Sequence, residues 1–351
     1  MLYYLYEHFH INIFHYITFR AILAFFLSFF MTVITLPNFI KWAKSKAKQP
    51  IYDLAPASHQ DKKDTPTMGG LVFMTGAIIS ILITTEYNKY VLLTLLLLVY
   101  FTFLGFLDDF GKIKNNSNRA GLSAKTKFAF QWVGALIVSF LLYKTGFDTN
   151  FYIPFYKHPL FDMGCFSVLF WSFVIVGMSN AVNLTDGLDG LATVPSIFSL
   201  FTLGILLYIA GNYKFSSYLF YPFELGVGEL TIVVFALIGS LLGFLWYNAH
   251  PADIFMGDSG SLPLGALIGF LAVLSKSEIL LVFIGFVFIM ETFSVILQIG
   301  SNKTFGKRVF KMAPIHHHFE KIGWKENKIT IRFWILALIT NLIAILSIKI
   351  R

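Results

Sequence analysis

The chain predicts an all-helical, polytopic membrane protein of about ten spans with both termini on the outer side, and three observations carry that prediction. Mean hydropathy is +0.70 over 351 residues, with 56% hydrophobic and 13% charged residues. Soluble domains carry roughly twice that charge. Apolar runs close to the ~20 residues that cross a bilayer recur along the whole length, and lysines and arginines crowd three of the connections between them, 41–68, 108–127 and 299–329. Residues 1–351 read as one transmembrane domain.

The first run, near 17–40, is too long for the apolar core of a secretory leader and has no basic segment ahead of it. It reads as a retained first span. Further runs lie near 69–85, 89–107, 128–144, 166–183, 191–210, 228–248, 261–275, 278–298 and 330–349. The eighth is short, which tilting or shielding by neighbours accommodates. The ninth ends at Gln298 and leaves room for an internal break. The connection 145–165 mixes aromatic and β-branched residues with Pro154 and Pro159, which suits a small hairpin.

Orientation follows from charge. Residues 41–68 hold six Lys and Arg, 108–127 hold five and 299–329 hold seven, together 18 of 27. The alternate loops 86–89, 145–165, 211–227 and 276–277 hold one each. Positive loops stay inside, so the N-terminus is outside and the loops after spans 1, 3, 5, 7 and 9 are cytoplasmic. The net charge of +8 then belongs to loops facing anionic lipid, and it calls for no nucleic acid. The single Cys165 excludes an internal disulfide and a thiolate metal cluster, and reads as a small buried residue.

Parity places four polar motifs on that inner side: Asp108-Asp109, Asn183 to Asp189, Asn248 to Asp258, and His316-His317-His318. Two adjacent carboxylates at a helix C-terminus oppose its dipole, so a cation belongs nearby, either Lys112 or a divalent metal. Neighbouring helical residues diverge by about 100°, so one carboxylate faces a site while the other braces it. A solvated helix end is the plainer alternative. Asn183, Asp186 and Asp189 are three apart, and a helical turn would set them on one face, suited to a base, a ribose or a cation. Gly187 and Gly190 permit a tight turn there. Asp258 precedes the eighth span, where it could cap the helix or bind Mg2+, which prefers oxygen. Phe255 beside it could stack on a base or merely anchor at the interface, and Asp253 reads as a solvated loop acid. Consecutive histidines do not converge on one tetrahedral zinc. They suit hydrogen bonds to phosphate or general-acid work. Lys62, Lys63, Lys112, Lys125 and Lys127 supply cations, most of them for topology and lipid.

Five segments, TPTMGG (65–70), LDDFGK (107–112), NAVNLTDGLDG (180–190), NAHPADIFMGDSGS (248–261) and APIHHHFE (313–320), stand in the order and spacing of one family. The chain resembles the phospho-N-acetylmuramoyl-pentapeptide-transferases over essentially its full length, and HHHFE sets that branch apart from sibling transferases that use UDP-N-acetylglucosamine. The resemblance implies that undecaprenyl phosphate attacks the β-phosphate of UDP-MurNAc-pentapeptide, releasing UMP and leaving lipid I, with Mg2+ required. It implies Asp258 as metal ligand and Asp108, Asp109, Asp258, His316 and His317 as catalytic. Asn183, Asp186, Asp189, Asn248 and Phe255 match positions that line a nucleotide site. Lys62, Thr67, Lys112, Lys125 and His318 match positions around the pyrophosphate and sugar. The same resemblance implies a homodimer in the bacterial cytoplasmic membrane, its active site built from inward loops at about 41–68, 108–127, 183–190, 249–260 and 299–329. Lys325 and Asn327 stand where that family has prolines, which touches only the shape of one loop. A sibling transferase and a secondary transporter are the alternative readings.

Overall fold

The computed structural model describes residues 1–46, 65–114 and 121–349. In a bilayer core every backbone N–H and C=O must be satisfied within the chain, so apolar runs become helices. The helices are α1 (Leu2–Phe9), α2 (Ile17–Lys46), α3 (Gly69–Thr84), α4 (Lys89–Lys114), α5 (Ala124–Lys144), α6 (Phe166–Thr185), α7 (Thr193–Ala210), α8 (Tyr213–Leu219), α9 (Leu230–Asn248), α10 (Asp258–Leu274), α11 (Leu281–Ile284), α12 (Phe286–Phe305), α13 (Ile315–Lys321) and α14 (Glu326–Ser347). Among the described residues, seven helices are long and apolar enough to cross a membrane, and α3 and α10 are shorter apolar helices. The protein is a multi-pass, all-helical membrane protein.

Each apolar run expected from the sequence falls on a helix. The ninth run is broken at Gly285, between α11 and α12. The Ile284 carbonyl at that break accepts from Ser199 Oγ at 2.7 Å and Asn341 Nδ2 at 3.0 Å, which is how a broken helix is tolerated away from water. The connection 145–165 does form a hairpin, with β1 (Asn150–Phe151) antiparallel to β2 (Phe161–Asp162). Cys165, expected to be buried, is exposed because it sits at the N-cap of α6, outside the packed helix face.

At the centre lies α10, whose residues are all buried and which packs against α3, α4, α6 and α7. Its neighbours shield it, so its shortness costs nothing against lipid. Small residues let the backbones close up, as they do wherever membrane helices pack tightly. A Cβ added at Gly265 would fall 2.3 Å from the Met178 carbonyl oxygen of α6, and one at Gly70 would fall 2.2 Å from Gly260 N. Far from the acidic motifs, at the other end of α9, Arg20 makes a buried two-pronged pair with Glu229 at 2.6 and 2.7 Å. Glu229 also accepts the Glu86 backbone N–H at 3.1 Å. That pair ties α2 and the end of α3 to the start of α9, with the charges compensated as buried ions require.

Candidate active site

The site forms where the C-terminal end of α4 meets the N-terminus of α10. Gly105, one turn before Asp108-Asp109, makes this possible, because a Cβ there would lie 2.1 Å from the Asp258 carbonyl oxygen. With α4 that close, Asp109 reaches the open backbone donors of α10. Its carboxylate accepts from Asp258 N at 3.1 Å and Ser259 N at 2.9 Å. A helix N-terminus leaves such donors unsatisfied and favours negative charge. Gly257, the residue before α10, has φ 75, and a Cβ on it would fall 2.6 Å from Asp109 Oδ2 and 3.0 Å from Thr67 Oγ1. Thr67 therefore lies beside this junction. Its segment runs alongside 255–256, with Phe255 N donating to Pro66 O at 2.9 Å and Gly70 N to Met256 O at 2.8 Å.

The expected division of the acidic pair is present. Asp109 braces α10 and Asp108 faces the cations. Asp108 Oδ1 accepts Leu122 N at 2.9 Å, and its Oδ2 pairs with Lys112 at 2.5 Å and Lys127 at 3.5 Å. Asp258 does not cap its helix. Its Oδ2 meets Lys127 at 2.7 Å and Lys112 at 3.3 Å, and its Oδ1 accepts from Asn183 Nδ2 at 2.8 Å. Asn183 also donates to Ser261 Oγ at 2.8 Å. Asp108, Asp109 and Asp258 each offer an oxygen within 4.8 Å of the others, and buried Asp108 Oδ2 has ion pairs but no well-directed hydrogen bond. Clustered hard oxygen donors of this kind fit Mg2+. The two lysines show that the pocket demands positive charge even before a metal is considered.

The run after Asn183 departs from the expected single helical face. Helix α6 ends at Thr185, and Gly187 N turns back to Thr185 O at 2.8 Å. The three polar residues then diverge. Asn183 goes to Asp258. Asp186 lies near the Gly257 N–H, and its carboxyl is pushed up to about 8, chiefly by loss of water and then by the Asp258, Asp109 and Asp189 carboxylates. Asp189 is buried and pairs with His250 Nδ1 at 2.9 Å. Glu326 joins it, accepting Asp189 N at 2.9 Å, and the three side chains form a second group of close acids and histidine. Asn248, expected to line a nucleotide site, is buried. It accepts from Gly190 N at 3.1 Å and Thr193 Oγ1 at 3.0 Å and donates to Ile254 O at 3.0 Å. Its polar atoms stitch two loops together. Phe255 is half-buried and Asp253 exposed.

The three histidines have three different tasks. His316, expected to be catalytic, is 1% exposed and pairs through Nδ1 with buried Glu291 at 3.1 Å. Its Nε2 lies against Gly187, where a Cβ would fall 2.4 Å away. It therefore supports the loop from behind. His317 pairs with Glu320 at 2.7 Å, and His318 Nδ1 accepts Lys311 N at 3.1 Å. Lys125 is exposed on α5 and stands apart from the acids, and Lys62 lies outside the described residues. The site cation from α5 is Lys127. Residues two apart on a helix point about 200° apart, so only one of the two could face the acids. His250, Glu326 and Glu291 were not singled out as site residues.

The chain is similar to known proteins along its whole length. A family model described as glycosyl transferase family 4 matches residues 90–276. A phospho-N-acetylmuramoyl-pentapeptide-transferase signature matches residues 62–74. Relatives named phospho-N-acetylmuramoyl-pentapeptide-transferase include one from Nautilia profundicola, 81% identical over 351 residues, and one from Nitratiruptor, 58% identical over 354 residues. A third, from Campylobacter jejuni, is 56% identical over 353 residues, and each of the three alignments spans all of both chains.

Proposed function

The chain belongs to the phospho-N-acetylmuramoyl-pentapeptide-transferase family, and from that membership and the site's geometry we propose that it transfers phospho-MurNAc-pentapeptide from UDP-MurNAc-pentapeptide to undecaprenyl phosphate. The products are lipid I and UMP, in peptidoglycan synthesis. The carrying observation is the junction of Asp108, Asp109 and Asp258 with Lys112 and Lys127.

The nucleophile is already a phosphate oxygen. With a second pKa of about 6 it is largely dianionic at neutral pH, so a strong base has little to add. The barrier is mutual repulsion between that dianion and the pyrophosphate. Lys112 and Lys127 offset this charge, and fixed positive groups in a site poor in water do so without reorganising. Asp258, with Asp108, would hold the Mg2+, which when bound supplies further charge for the pyrophosphate and the leaving UMP. Asp109 has both oxygens on α10, so it positions Asp258 and is a poor candidate for a covalent phosphoryl intermediate. That supports direct in-line displacement, with Asp108 orienting the lipid phosphate. Asn183 fixes Asp258, Asp186 and Phe255 flank the nucleotide, and His317 and His318 serve the pyrophosphate and sugar. His316 and Asn248 hold the loops in place. Ten crossings, with this site facing the cytoplasm of a bacterial inner membrane, are supported by the basic-loop asymmetry. The homodimer rests on the family resemblance alone.

The test is UMP release by the purified protein in detergent with undecaprenyl phosphate. UDP-MurNAc-pentapeptide should give UMP only when Mg2+ is present. Equal release from UDP-N-acetylglucosamine would favour the sibling transferases, and no release from either would refute the reading.

A further inference from the structure

We infer that the C-terminal helix α14 carries a pair of positioning residues, Glu326 and Trp334, that clamp the donor-nucleotide loop. This rests on the function proposed above. The loop 186–190 contains two glycines, which lose much conformational freedom on ordering, yet its Asp186 must be presented at a defined place. Two anchors reach it from far along the chain. Glu326, in the first turn of α14, accepts Asp189 N at 2.9 Å, and its other oxygen lies 3.8 Å from His250 Nδ1. Trp334, two turns on, donates its indole N–H to Gly190 O at 3.1 Å. One anchor takes a backbone donor and the other a backbone acceptor of adjacent residues, which fixes the peptide between them in orientation as well as position. Glu326 is nearly buried, its side chain 7% exposed, so its oxygens meet the loop and not bulk water. Through His250, which bonds the Asp189 carboxylate, the same helix also engages the loop after α9. Both residues bond the backbone of this loop. Their effect on the reaction is therefore on where the nucleotide sits.

Steady-state kinetics of the full-length protein in detergent test this. Glu326→Ala should raise KM for UDP-MurNAc-pentapeptide roughly tenfold, about the worth of one charge-assisted hydrogen bond, and Trp334→Phe should raise it about threefold. Both should leave KM for undecaprenyl phosphate unchanged and kcat within about twofold. Glu326→Gln keeps an accepting oxygen and should recover most of the nucleotide KM. A purely structural role would lower thermal stability and kcat without separating the two KM values, and that result would overturn the clamp. Should Glu326→Ala fail to fold, Trp334→Phe carries the test, and an unchanged nucleotide KM in it refutes the inference. No turnover by the unaltered protein would instead strike at the function on which the clamp depends.

Discussion

Asp109 caps the helix that begins at Asp258, its carboxylate accepting the Asp258 and Ser259 backbone N–H groups at 3.1 and 2.9 Å. One acid of the site is thus set in place by another, 149 positions earlier in the chain. The partner Asp108 is left to meet Lys112 and Lys127.

Asp109→Asn keeps one accepting oxygen but loses the charge and one of the two bonds. Charge at a partly buried helix N-terminus is worth up to about 2 kcal/mol, so the melting temperature should fall by a few degrees. A shift of about 1 Å in reacting groups costs on the order of 100-fold, and UMP release should fall at least that far. A variant of unchanged melting temperature and activity would exclude the cap as a positioning device.

The two lysines in the first turn of α5 should behave differently. Lys127→Ala removes a 2.7 Å partner of Asp258 and should cost roughly 10- to 100-fold in kcat/KM, in line with loss of a charge-assisted bond. Lys125→Ala, on the exposed face, should stay within about twofold. Equal effects would show that α5 does not present Lys127 to the acids.

Gly105→Ala forces a Cβ to within 2.1 Å of the Asp258 carbonyl. Overpacking typically costs about 1–3 kcal/mol, and here it also pries α4 from α10, so stability in detergent and activity should fall together. Gly300 is a control on α12 with nothing within 4 Å of an added Cβ. Gly300→Ala should be neutral or stabilise by up to about 1 kcal/mol.

Stability should depend on pH through Glu278, in the turn between α10 and α11. Burial pushes its carboxyl up to about 7 from an ordinary 4.5, and Lys276, its own N–H and Trp171 only partly oppose this. Between those values the folded chain keeps a proton that the unfolded chain has released. The stabilising contribution is therefore full below about 4.5 and is lost as pH rises through about 7. Melting temperatures taken from pH 5 to 8 should decline in the unaltered protein and decline less in Glu278→Gln. Parallel curves would assign the dependence to other groups.

Much of this was legible in the sequence, for identifiable reasons. Hydropathy located the helices because lipid leaves an apolar run no other structure. Parity brought Asp108, Asp109, Asn183 and Asp258 to one end because loops alternate sides. The 100° divergence of adjacent residues foretold that one aspartate braces while its neighbour faces the site. The misses share a cause. A three-residue spacing put Asn183, Asp186 and Asp189 on one face only if the helix continued, and the turn at Gly187 ended it. Lys125 and Lys127 cannot be told apart until the rotation of α5 is known. Glu326 looks like any acid in a first helical turn, and His250 like any loop histidine. Only packing between segments far apart in the chain brings them to Asp189.

Asp258→Asn is the most direct measurement. The substitution keeps the shape and the bond to Asn183 but removes the charge that Lys112, Lys127 and Mg2+ would share. The folded variant, with a melting temperature close to that of the unaltered protein, should release no measurable UMP from UDP-MurNAc-pentapeptide at any Mg2+ concentration. Release near the unaltered rate would contradict a site built around that carboxylate.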